Sequence, residues 1–248
     1  MTVHSIETLG TNGIQKRKTT TAHTESVTKN HITDWDPRDY VPQQLKELVA
    51  LNPPNYLLAF LNVVQQLKIQ KRTGWLDFDV TDCESIADHM YRMSVICMLI
   101  TNKQVNRDRC IKIALVHDMA ESLVGDITPV SPISASEKHA REHRTIEYLC
   151  NELIAPVNPE AAVEILECYE EYETASTLEA RYVKDIDKYE LFVQCFEYEK
   201  QYKGAKNFQD FFKKVPMLTT EEVTRWTNEL LELRQRYFDS LALDAVKQ

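Results

Sequence analysis

Apolar residues return every three or four positions along most of the chain beyond residue 55, the spacing that lines one face of a helix. No stretch shows the alternation of β-branched and polar residues expected of a half-buried strand, and only five glycines interrupt the sequence. Helix starts follow from capping chemistry, in which a Ser or Thr hydroxyl accepts from a free backbone N–H while a Glu three residues on reaches back. Four such boxes occur: Thr81-x-x-Glu84, Ser134-x-x-Glu137, Ser176-x-x-Glu179 and Thr219-x-x-Glu222. Asn106 and Asn158-Pro159 add two more starts, the second with proline at the first helical position. The pattern predicts helices over 55–70, 83–102, 107–123, 135–154, 159–173, 177–202 and 220–243, with the clearest interior loop from Gly125 to Pro132. An all-α fold is expected.

Residues 1–35 differ from the rest. Thr, Ser, Asn, His and Lys dominate, Gly10 and Gly13 interrupt, and apolar periodicity is missing, which reads as a disordered tail ahead of one domain over 36–248. Its Lys16-Arg17-Lys18 cluster reads as solvated charge more readily than as an address. With 43% hydrophobic residues the chain can bury a sizeable core. Six cysteines without a C-x-x-C pair, several in apolar helical patterns, suit buried reduced thiols in an intracellular protein. The N-terminus has no apolar signal core, and no run approaches the roughly 20 apolar residues that span a bilayer, so secretion and membrane insertion are not expected. A net charge of −9 argues against wrapping a nucleic-acid polymer. It leaves room for a small anionic substrate held by a few local cations and a metal.

Two histidines fall on faces that should be buried. His89 shares its stripe with Ile86, Met93, Ile96, Cys97 and Ile100, and His117 follows Ile113 and Ala114. A lone histidine in such a place is more often a hydrogen-bonded core residue than a ligand, but here there are two, and one is followed directly by Asp118. A further carboxylate must come from Asp185 or Asp187. Asp187 lines up with Val183, Leu191 and Cys195, whereas Asp185, with Arg181 four residues before and Lys188 three after, reads as a surface ion-pair member. Burying an unpaired carboxylate is costly, so Asp187 calls for a metal or cation partner. Two imidazoles and two carboxylates can hold one divalent metal that keeps open positions for water and a phosphate, the chemistry of a hydrolase. Glu121 shares the helical edge of the His117-Asp118 doublet, and Asp126 follows on the loop after Gly125; a solvated helix end is the alternative for both.

The stretch Glu84 to Arg92 (ESIADHMYR), then Ala114 to Glu121 (ALVHDMAE) through Gly125-Asp126-Ile127, then Lys184 to Asp187 (KDID), resembles the HD-domain superfamily. The likeness is strongest to the eukaryotic HD-domain-containing 5′-deoxynucleotidases and their bacterial relatives, and covers roughly residues 55–212, including Glu170 to Glu173 and Phe196 to Glu199. It implies an HD-domain helical bundle, commonly a homodimer, that dephosphorylates deoxyribonucleoside 5′-monophosphates with a divalent ion such as Mn, Co or Mg. The family's metal ligands carry over onto His89, His117, Asp118 and Asp187. By the same resemblance Glu121, Asp126 and the Ile127 carbonyl form a second cation site or, as in the bacterial members, supply catalytic acids. The phosphate-orienting arginine falls on Arg72 and the substrate loop on Asp126, Ile127, Thr128 and Pro129. The bacterial relatives carry Trp directly after that arginine, whereas here Trp75 follows Thr73-Gly74, which puts a sugar-contacting role for Trp75 in doubt.

On this reading the metal activates water for attack at phosphorus, Arg72 grips the phosphate oxygens, and Glu121 and Asp126 orient water or protonate the departing sugar oxygen. Without the resemblance, Arg72 reads as an exposed arginine at a helix end. The cationic segment Lys138, His139, Arg141 and His143 reads more readily as a solvated helix face than as an aid to the phosphate, the acidic segment Glu164 to Glu173 as a solvated face, and Leu230, Leu231, Leu233 and Phe238 as cover for the core or a subunit interface. The alternatives are an HD phosphohydrolase acting on a nucleoside polyphosphate or cyclic nucleotide, and a non-catalytic HD scaffold. A guanosine-polyphosphate hydrolase resembles His-Asp-x-x-Glu-Asp, and Ser122 stands in place of its final Asp; a scaffold would be expected to have lost a ligand. A cytoplasmic or also nuclear enzyme without membrane or nucleic-acid partners is expected.

Overall fold

The structure, a computed structural model, describes residues 35–246; residues 1–34, nearly all of the expected tail, lie outside the described residues. Among the described residues there is no strand, only an isolated antiparallel bridge between Lys71 and Ser85. The helices run α1 (Pro37–Tyr40), α2 (Gln43–Val49), α3 (Tyr56–Ile69), α4 (Thr73–Leu76), α5 (Ile86–Met98) and α6 (Arg107–Val116). They continue as α7 (Glu121–Val124), α8 (Ala135–Tyr148), α9 (Pro159–Thr174), α10 (Leu178–Gln201) and α11 (Glu221–Val246). A π-helical turn, Leu149–Ile154, extends α8, and a 3-10 segment, Gln209–Met217, leads from α10 towards α11.

The long helices expected from the periodicity are present except that the one over 107–123 stops at Val116, while α1, α2 and α4 are too short to show a period. Trp35, placed at the end of the expected tail, is packed: its ring stacks on Tyr40 and its carbonyl accepts from Arg144. Three of the four expected capping boxes do not form as written; Thr219 gives its hydroxyl to Asp185 ahead of α11, and Glu222 accepts from the Thr101 amide. Thr81 does not start α5; Ser85 does, its hydroxyl accepting from the Asp88 amide while Asp88 accepts from the Ser85 amide. The sequence template asked for Glu or Gln at the third position, and the shorter Asp does the same work. Residues before Ser85 are engaged elsewhere, since the Arg72 amide donates to the Glu84 carbonyl and the Ile86 amide to the Gln70 carbonyl. That pairing fixes Arg72 beside the start of α5. Likewise Thr177, not Ser176, caps α10.

The main core joins α5, α6, α9 and α10 around Met93, Cys97, Ile113, Tyr169, Val183 and Ile186. A second cluster gathers Trp75, Phe192, Phe208 and Phe212, and a third seats α2 and α3 on the Leu149–Ile154 turn. All six cysteines are buried free thiols, and burial pushes Cys110 and Cys150 up to about 12.

Asp185 corrects an expectation. It pairs with Lys188 at 3.7 Å as the spacing suggests, but it is buried, not on the surface, and its Oδ2 accepts from the Thr219 and Thr220 amides (2.8 and 2.7 Å) and the Thr219 hydroxyl (3.1 Å), just ahead of α11. The contact joins residues 34 and 35 positions apart, so helical spacing could not reveal it. Asp185→Ala leaves buried donors unpaired and is expected to cost about 2–3 kcal/mol in urea unfolding, with bound metal retained. Loss of the metal with unchanged stability would contradict that assignment.

Candidate metal centre

α5, the end of α6, and α10 bring His89, His117, Asp118 and Asp187 together. His89 is fully buried, and its Nδ1–H donates to Glu190 Oε2 at 2.6 Å; Glu190 is in turn held by Arg92 Nε at 2.7 Å. The His117 Nδ1–H donates to the Ala114 carbonyl at 2.9 Å. With Nδ1 committed in both rings, the two Nε2 atoms face the same point, and neither buried Nε2 has a hydrogen-bond partner. Asp187 Oδ1 lies 3.3 Å from His89 Nε2, while Asp118 Oδ2 lies 3.2 Å from His117 Nε2 and 3.8 Å from His89 Nε2. One ligand atom each from His89, His117 and Asp187 falls within 4.8 Å of the others. Two orphaned imidazole nitrogens facing two carboxylates fit a borderline divalent cation.

Asp187 is partly open to solvent, and its Oδ2 accepts from the Tyr172 hydroxyl at 3.1 Å. The Tyr172 ring packs against the His117 ring, centroids 4.8 Å apart. Burial works to raise the pKa values of Asp118 and Asp187, but the histidines and Arg72 outweigh it and hold both well below the carboxylate range. Burial and Arg72 press His89 down, yet Glu190 and Asp187 carry it up to about 10. A cation held here would meet two ionised carboxylates and would take the place of the proton on His89.

The doublet does not sit within a continuous helix as expected. α6 ends at Val116, and residues 117–120 form a turn in which the Met119, Glu121, Ser122 and Leu123 amides each bond back three residues. Met119 and Ala120 are good helix formers, so nothing local announces the break; tertiary packing overrides propensity. Glu121 opens α7, and α7 ends on Gly125, whose φ of +83° is a conformation that side chains resist.

Arg72 lies over this turn, largely shielded from solvent, not exposed as a helix-end arginine would be. Its guanidinium is 3.3 Å from Asp118, 3.8 Å from Asp126 and 4.0 Å from Glu121. Burial opposes its charge, but these carboxylates and Asp187 raise its pKa and keep it cationic. Asp126 Oδ2 accepts from the Thr73 amide at 2.7 Å. Glu121 is buried with Oε2 unpartnered, and burial together with Asp118 and Asp126 pushes its pKa well above the carboxylate range. Beside it opens a cleft of about 520 Å³ lined by Gln70, Thr73, Asp77, Asp126, Ile127 and Thr128. Thr128 Oγ1 donates to Asp77 at 3.3 Å, while Pro129 is exposed and outside that lining.

Trp75 faces the other way. It is buried against Tyr198, Phe208 and Phe211, its indole N–H donating to Glu84 at 3.1 Å, so it presents nothing to the cleft. Sequence reasoning missed Glu190, Arg92, Tyr172 and Lys138. Arg92 and Glu190 each follow a ligand by three residues and so share its helical edge, a signal available from spacing alone. Lys138, read as part of a solvated face, instead reaches inward to Glu121, and Glu173 and Glu171 of the acidic segment are paired with His139 and Arg109.

The HD domain family model matches residues 64–225. The 5′-deoxynucleotidase YBR242W of Saccharomyces cerevisiae is 56% identical over 234 residues, covering 94% of this chain and 98% of the relative. The 5′-deoxynucleotidase HDDC2 of Homo sapiens is 44% identical over 156 residues, covering 63% of this chain and 74% of the relative. Among solved structures, the HD domain-containing protein YGK1 superposes with a TM-score of 0.66 at 45% identity, covering 83% of this chain and 99% of that one.

Proposed function

The chain belongs to the HD-domain family of 5′-deoxynucleotidases, and from that premise we propose that it hydrolyses deoxyribonucleoside 5′-monophosphates to deoxynucleosides and phosphate. The observation that carries this reading is the pair of buried, unpartnered Nε2 atoms of His89 and His117, facing Asp118 and Asp187. These four residues would hold one Mn, Co or Mg ion, which when bound supplies Lewis-acid activation of water and of the phosphoryl group.

The chain's own residues do the rest. Arg72 presents a fork to the non-bridging phosphate oxygens and offsets charge as it builds in the transition state. Glu121, buried with Oε2 unpartnered and its pKa raised by burial and by Asp118 and Asp126, is placed to donate to the departing 5′ oxygen or to orient water. Asp126 is tied to the Thr73 amide and so aims the loop beside Arg72. The nucleoside moiety extends into the cleft between Asp77 and residues 126–128. The reading includes a homodimer, supported by exposed Leu57, Leu61, Tyr91, Met98 and Leu99 on α3, α5 and the end of α5. No helix of the described residues is long and apolar enough to cross a membrane.

The test is metal-stripped protein restored with Mn, Co or Mg and offered dAMP, dGMP, dCMP, dTMP, their ribonucleotide counterparts and triphosphates. Free phosphate and deoxynucleoside from the deoxy monophosphates are expected, with the ribonucleotides turned over more slowly. Equal use of ribonucleotides would remove the deoxy preference. Inactivity on every monophosphate with every metal would overturn the reading in favour of another phosphohydrolase or a scaffold.

A further inference from the structure

Lys184 stands three residues before Asp187 on α10 and so shares its helical edge. His89 and His117 are buried and the Asp118 side chain is 17% exposed, whereas Asp187 is 32% exposed, so solvent reaches the centre past Asp187. On that open side the Lys184 ammonium lies over the Tyr172 ring, 4.0 Å from its centroid. The same tyrosine donates its hydroxyl to Asp187 Oδ2 at 3.1 Å and packs its ring on His117. Burial lowers the pKa of Lys184 and outweighs Glu173, Asp187 and Asp118, and among the described residues no carboxylate lies within ion-pair reach of it. The other cations around the centre are engaged. Arg72 faces Asp118, Asp126 and Glu121, Lys138 Nζ lies 3.2 Å from both Glu121 and Glu142, and Lys188 Nζ donates to the Lys184 carbonyl at 2.6 Å beside Asp185.

We propose that Lys184 is a second phosphate-binding cation of the site, reaching the phosphoryl oxygens from the Asp187 side while Arg72 reaches them from the Asp118 side. The proposal rests on the reading that a divalent ion sits at His89, His117, Asp118 and Asp187 and that the substrate is a phosphate monoester. Asp118 and Asp187 already match the charge of such an ion, and the monoester brings up to about two further negative charges at neutral pH. Arg72, shared among three carboxylates, does not balance both. Lys184 is the half-buried cation left without an anion, and its flexible stem lets the ammonium leave the ring for an oxygen nearby. The exchange replaces a cation–π contact with a charge-assisted hydrogen bond.

The experiment titrates inorganic phosphate into manganese-loaded full-length protein by calorimetry, with bound manganese counted after dialysis and kcat/KM measured on dAMP. Lys184→Met keeps a long apolar stem on the Tyr172 ring and removes the charge. It should weaken phosphate binding and lower kcat/KM by at least about tenfold each, with manganese retained. Lys184→Arg, which restores the charge, should recover most of both, a rescue that a packing role alone would not require. Lys184→Gln serves if the methionine variant does not fold. Phosphate affinity within about twofold of native in the neutral variants, manganese lost together with phosphate, or a native protein that binds no phosphate would overturn the proposal. Inactivity of the native protein on every monophosphate would count against the proposed function instead, leaving the phosphate titration to judge Lys184.

Discussion

Asp187→Asn is expected to lower turnover about a thousandfold or more, equivalent to about 4 kcal/mol of lost transition-state stabilisation, and to let the metal escape on dialysis. The substitution keeps the shape of the side chain and its contact with the Tyr172 hydroxyl, but removes the negative charge that faces His89 Nε2 at 3.3 Å. An amide oxygen is a poorer donor to a divalent cation than a carboxylate, and the two imidazoles with Asp118 alone bring only one negative charge. The matched control is Asp185→Asn. Its carboxylate is turned from the centre to the Thr219 and Thr220 amides, so it should weaken folding and spare the metal. Metal counting and initial rates on both proteins decide between the two acids. Near-normal turnover by the Asp187 variant would remove it from the centre.

Arg72→Ala is expected to cut kcat by about a hundred- to a thousandfold, the range seen when a preorganised group that meets developing charge is removed. Here metal content should hold, because the change takes away a cation beside Asp118, Glu121 and Asp126 and leaves every proposed ligand in place. The backbone at this position is fastened independently of the side chain, through the Arg72 amide to Glu84 and the Trp75 amide to the Arg72 carbonyl, so the turn should survive truncation. Arg72→Lys restores charge without the two-pronged fork and should recover only part of the loss. A variant that binds metal and substrate normally yet turns over slowly would place Arg72 in the chemical step; unchanged kcat would exclude it from that role.

What the sequence allowed depended on how local each cause was. Long helices were readable because their apolar stripes repeat within one element, and Asn106 and Asn158 cap helices as their side-chain chemistry requires. The stripes also carried His89 and His117 to the centre. For Asp185 the spacing gave the pair with Lys188 but not its burial, because its closer partners, the Thr219 and Thr220 amides, lie on a distant segment. The turn at 117–120 was hidden by residues that favour helix, and Lys138 by neighbours His139, Arg141 and His143, whose charge suggests a solvated face although Arg141 is itself shielded beside Trp35. In each case the deciding contact joins separate elements, which periodicity does not encode.

The loop after Gly125 is fastened twice, and the two fastenings differ in kind. At its root, Asp126 takes a 2.7 Å bond from the partly buried Thr73 amide, next to Arg72. At its lip, Thr128 meets Asp77 at 3.3 Å between exposed side chains in contact with water. The lip yields before the root does. Bases of different size could thus be admitted by a small shift at Thr128 that leaves Arg72 and Asp126 where they are. On the proposed function, strictness toward the phosphate and tolerance toward the base would then belong to opposite ends of one short loop.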